Sequence, residues 1–104
     1  MRRLFAGLAM AGAAALSLAG AEHVVAQKNI AFSQKALKIK AGDSVRFTND
    51  DPVPHNVISV SPSNPFDLGV FKKGESKSVV LGKPGPVDVE CSIHPGMKMR
   101  IDVE

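Results

Sequence analysis

A chain of 104 residues has room for one domain, and an apolar run from Leu4 to Leu18 behind Arg2 and Arg3 takes the first fifth of it out of that domain. The formal charge of +3 falls to +1 once residues 1–21 are set aside, because they hold two arginines and no acid. The remaining lysines are scattered and no tyrosine or tryptophan interleaves with them, so no nucleic-acid partner is expected.

The N-terminal segment has the layout of an export signal. A basic start precedes an apolar stretch, and Ala19, Gly20 and Ala21 offer small residues at the recognition positions, so cleavage is expected after Ala21. About fifteen apolar residues fall short of the roughly 20 that a membrane-spanning helix needs, which argues against a permanent anchor. The expectation is a cleaved signal over residues 1–21, a single domain over 22–104, and a monomeric protein exported to the periplasm with no membrane association after cleavage.

From Glu22 onward, short β-type runs alternate with Gly, Pro, Asn and Asp clusters, and no helical period emerges. "HVVAQKNIAF" opens the domain as a strand, and "LKIK" follows, closed by the turn "AGD". In "SVRFTN", Val45 and Phe47 fall on one face and Ser44, Arg46 and Thr48 on the other, the period of a strand buried on one side. Two prolines in "DDPVP" break the chain before "HNVISV" resumes it. "SPSNPFDLGVFKKGE" carries too many turn residues to be regular. "SKSVVL", "VDVEC" and "MRIDVE" read as the closing strands, with Met99, Ile101 and Val103 facing one way. The fold expected is an all-β sandwich of about seven to eight strands. A domain this small buries only roughly 60 to 65% of its unfolded surface, so a bound ion that prefers the folded state would add to its stability.

The chemistry gathers in "CSIHPGMKM". It holds the only cysteine, one of three histidines and two of four methionines. A lone cysteine in an exported chain has no disulfide partner, which leaves a free thiol, an intermolecular link or a metal ligand. Thiolate, imidazole and thioether together select a soft or borderline metal, and two His, one Cys and a distant Met form the blue-copper set. Cys91 and His94 need a second histidine. His55 follows the proline-stiffened "DDPVP", whereas His23 lies beside the expected mature terminus, where order is poor; His55 is therefore the better candidate. Taken singly, each histidine is more often an ordinary hydrogen-bonded group, and each methionine core filler. Their conjunction with an unpaired cysteine is what points to a metal.

The chain resembles the cupredoxins, most closely the plastocyanin and amicyanin group. The resemblance is carried by "LKIKAGDSVRFTNDD", "PHNVISV", "KPGPVDVEC" and "CSIHPGM", in order and over nearly the whole of residues 22–104. It implies a Greek-key sandwich holding one type 1 copper ion on His55, Cys91, His94 and one methionine, and a role in passing single electrons between redox proteins. Met97 lies three residues after the histidine, as in the amicyanin-like loop, and Met99 five, as in plastocyanin. Pro95 and the ending "MKMRIDVE" favour Met97 as the axial ligand, with Met99 as the alternative. The resemblance also implies a tie between the ligand loops through Asn56 and Ser92.

Two departures carry expectations of their own. Ile93 stands where the group usually has proline, so its N–H is free to bond the Cys91 sulfur and raise the reduction potential. Glu90 replaces a tyrosine often found before the cysteine, leaving the edge of His94 as the expected electron route. Pro54, Ile93, Pro95 and Gly96 would rim it where redox partners dock. The competing reading is a copper storage, delivery or resistance protein with similar ligands. An enzyme has little support, because this ligand set leaves no open position and no catalytic triad accompanies it.

Overall fold

The computed structural model describes residues 20–104; the expected signal segment lies outside them, apart from its last two residues. Eight strands run in chain order as β1 (Glu22–Gln27), β2 (Ala36–Ile39), β3 (Ser44–Asn49), β4 (His55–Ser59), β5 (Phe66–Phe71), β6 (Ser76–Val80), β7 (Gly85–Glu90) and β8 (Lys98–Val103). One sheet has the order β1-β3-β6 and the other β2-β8-β7-β4-β5. The pairs β1/β3 and β2/β8 are parallel and the remaining ones antiparallel. The all-β sandwich expected from the sequence is the fold observed.

Period-2 alternation builds the core and points at the site. Val45 and Phe47 on β3, Val57 on β4, Val87 and Val89 on β7, and Met99, Ile101 and Val103 on β8 are all buried. Phe32 meets Phe47 edge to face, with ring centroids 6.0 Å apart. The same parity puts His55 on the inward face of β4, two residues before Val57, and carries Cys91 inward two residues past Val89. Two ligand candidates are thus delivered to one end of the core by strand register alone.

Three expectations need correction. The segment containing "FDLGVF" is a strand, β5, at the edge of the larger sheet. Its pairing with β4 slips between Asn56 and Ile58, and Gly69 takes φ 77° beside that irregularity. A bulged edge strand loses the clean alternation by which strands are recognised, and an edge tolerates polar residues and glycine. The opening strand stops at Gln27 rather than continuing to Phe32. Asn29 and Ile30 turn the chain with φ 56° and 55°, while Lys28 and Ala31 exchange backbone hydrogen bonds of 2.9 and 3.2 Å. Those dihedrals and bonds match a type I′ turn, a conformation that isoleucine rarely adopts. Finally, His23 is well placed on β1, opposite Val45, with its Nε2 2.9 Å from Asp43 Oδ2.

Candidate metal centre

Strand ends and one tight turn bring the soft side chains together. The loop after β7 begins at Cys91 and makes a turn from His94 to Met97, closed by the Met97 N–H donating to the His94 carbonyl at 3.1 Å. Pro95 and Gly96 occupy its central positions, with Gly96 at φ 95°, the arrangement of a type II turn in which the second central residue needs positive φ. The Cys91 N–H then donates to the Met97 carbonyl at 3.1 Å, which folds the loop back on itself. The sequence "HPGM" thus fixes Met97 against both His94 and Cys91.

His55, Cys91 and His94 each offer one donor atom, all within 4.8 Å of one another. Cys91 Sγ lies 3.7 Å from Nδ1 of His55 and 3.7 Å from Nδ1 of His94. The two imidazoles meet edge to face with centroids 4.8 Å apart. His55 and Cys91 are buried and His94 is half-buried. Two Nδ1 atoms and a sulfur facing one point form the donor set of a copper site. The residues therefore fit the metal.

Met97 is buried at the end of that turn, and Met99 is buried one alternation further, on β8 opposite Val89. His23 takes no part, being held by Asp43 beyond the opposite end of β3. The tie between the ligand loops is present and double: Asn56 Nδ2 donates to Ser92 Oγ at 2.7 Å and the Ser92 N–H to Asn56 Oδ1 at 2.8 Å. The Cys91 sulfur has the two imidazole nitrogens within hydrogen-bonding range, and Ile93 beside it is 42% exposed.

What the sequence reading missed lies behind His55. Its Nε2 is 2.7 Å from Oδ2 of Asp51, a carboxylate almost as buried as the imidazole. Asp51 Oδ1 accepts the Asn29 N–H at 2.6 Å and Oδ2 the Ile30 N–H at 2.9 Å. Burial alone would push this carboxyl up, but the Ile30 N–H, the His55 imidazole and the Asn29 N–H outweigh it and hold the group below its ordinary value. Asn49 braces the loop: its Oδ1 accepts the Asp51 N–H at 2.8 Å, and its Nδ2 donates to the carbonyls of Val53 and Phe71 at 3.0 Å each. The available signal was an acid four residues before a candidate ligand, in a loop that prolines make stiff.

Comparison with known proteins agrees with the geometry. The family described as copper binding proteins, plastocyanin/azurin family, matches residues 19–104. Amicyanin-alpha of Methylorubrum extorquens is 34% identical over 76 residues, covering 70% of this chain and 64% of that protein, so the chain spans somewhat under two thirds of that relative. Plastocyanin of Ulva pertusa is 30% identical over 87 residues, covering 73% and 89%. An amicyanin variant solved with Cu(I) superposes with a TM-score of 0.74 at 27% identity, over 80% of this chain and 82% of that one.

Proposed function

Because the chain belongs to the plastocyanin/azurin family of copper-binding proteins, we propose that it is an electron carrier rather than an enzyme and that His55, Cys91, His94 and Met97 are its ligands in a type 1 copper site. In this reading the protein shuttles single electrons between redox proteins. The observation that carries it is the convergence of His55 Nδ1, Cys91 Sγ and His94 Nδ1 within 4.8 Å at one end of the sandwich. Bound copper supplies a one-electron couple, Cu(II) to Cu(I), with no bond made to a substrate.

The residues supply rigidity and access. His55 and Cys91 are fixed by strand register, and the Asn56–Ser92 bonds tie their loops, so little has to move as the ion changes charge. Half-buried His94 is the route for the electron, with Pro54, Ile93, Pro95 and Gly96 exposed around it for brief docking of a redox partner. Met97 is favoured as the axial ligand by the His94–Met97 turn. Residues 1–21 are removed on export to the periplasm.

The test is a visible and EPR spectrum of the Cu(II)-loaded mature protein, with Met97→Ala and Met99→Leu beside it. We expect intense thiolate-to-copper absorption, a changed spectrum in Met97→Ala, and an unchanged one in Met99→Leu. Weak absorption with irreversible redox chemistry would point instead to copper storage or delivery.

A further inference from the structure

The Asp51 carboxylate does more than fill a loop. Asp51 accepts a backbone N–H on each oxygen, from Asn29 on Oδ1 and from Ile30 on Oδ2, so it faces His55 as an acceptor, and at 2.7 Å the shared proton belongs to His55 Nε2. With its Nε2 turned to Asp51, the imidazole presents its other nitrogen, Nδ1, to the site, and that is the atom 3.7 Å from Cys91 Sγ. The carboxylate is itself fixed from two further sides by the N–H groups of Asn29 and Ile30, and its own N–H is held by Asn49. A strained turn is maintained to do this: Ile30 is β-branched at φ 55° and half exposed, so its own packing gives little return for that conformation.

From this geometry we propose that Asp51 is a positioning residue for His55, fixing its proton on Nε2, presenting Nδ1 to the metal, and lowering the reduction potential of the site. The argument rests on the copper reading above. A strong acceptor at the outer nitrogen of a ligating imidazole makes the inner nitrogen a better donor. A better donor, with a negative charge behind it, favours the more highly charged Cu(II) over Cu(I). Ile93 was expected to tune the potential upward from the sulfur side; the group the structure places against a ligand acts on the histidine side and in the opposite direction.

The experiment has a metal-free arm and an electrochemical arm. In the metal-free wild-type protein, 15N NMR of His55 should show the proton on Nε2; a proton on Nδ1 would overturn the proposal whether or not any variant folds. In copper-loaded protein, Asp51→Asn keeps the size and one acceptor oxygen but removes the charge. It should lower the ratio of Cu(II) to Cu(I) affinity about tenfold, a rise of ~59 mV for one electron. Asp51→Glu should restore most of the difference, and Asp43→Asn, at the far end of β3, should leave the potential unchanged. A potential that stays level or falls in Asp51→Asn overturns the tuning role. Loss of copper uptake in the wild type, with the Nε2 proton in place, would overturn the copper reading while leaving the assignment of the proton standing.

Discussion

Beyond one end of β3, Asp43 takes the Nε2–H of His23 at 2.9 Å and the N–H groups of Ala21 and Lys40 at 2.9 and 3.1 Å. Beyond the other end, Asp51 takes the Nε2–H of His55 at 2.7 Å and the N–H groups of Asn29 and Ile30 at 2.6 and 2.9 Å. The donor sets are nearly identical: one imidazole and two backbone amides around one carboxylate. Their surroundings are not. The His23 side chain is 28% exposed, whereas that of His55 is fully buried and faces Cys91 with its other nitrogen. A His–Asp pair becomes part of a metal centre through what its second nitrogen meets, and the difference between these two pairs can be broken experimentally.

The largest effect should come from cutting each pair. Asp51→Ala leaves two backbone N–H groups and, above all, a fully buried imidazole N–H without an acceptor. Urea unfolding of the metal-free protein should show a loss of roughly 3 kcal/mol. Asp43→Ala removes the same number of bonds where solvent can substitute, so its loss should be clearly smaller. Equal losses at the two ends would mean that burial does not separate these pairs.

Much of this arrangement was legible in the sequence, for a physical reason. Strand alternation in "SVRFTN", "HNVISV" and "VDVEC" records burial directly, and the soft residues of "CSIHPGM" keep their chemistry whatever the fold. The tie between Asn56 and Ser92 follows from the same residues once the loops are adjacent. What stayed hidden depends on exceptions to local rules. Strand β5 is disguised by its bulge and Gly69, and the turn at Asn29–Ile30 puts isoleucine where propensity would put glycine. Asp51 was overlooked because two of its three partners come from a turn more than twenty residues upstream, and the third, His55 four residues on, is a spacing that by itself signals little. Ile93 drew attention through a missing proline, and whether its N–H bonds the sulfur depends on how the loop aims it.

Acid offers an intermediate effect that can be read at the Asp43 end. The His23 bond, followed by the N–H groups of Lys40 and Ala21, holds the Asp43 carboxyl below its unfolded value of 3.8. A depressed carboxyl contributes stability that is complete above the unfolded value and is lost as pH falls through the folded one. Metal-free Asp43→Asn should therefore be less stable than wild type near neutrality, and the two stability curves should converge as the pH drops below about 4. Denaturant unfolding between neutral and acid pH measures this, and curves that stay parallel would remove Asp43 from the acid response.

The smallest expected effect runs in the opposite direction and isolates the strain at the metal end. Ile30→Gly removes a β-branched side chain from φ 55° while keeping the N–H that Asp51 accepts. Relief of a left-handed β-branched residue is worth about 1 to 3 kcal/mol, and glycine gives back roughly 0.5 to 1 through the freedom of the unfolded chain. Half of the Ile30 surface is exposed already, so little buried contact is lost. The net result should be a modest stabilisation, seen as a higher urea midpoint with an unchanged slope. Asn29→Gly should gain less, since asparagine tolerates the left-handed region. If Ile30→Gly instead destabilises the protein, the isoleucine side chain is supporting the turn through packing, and the strain is not held for the sake of Asp51.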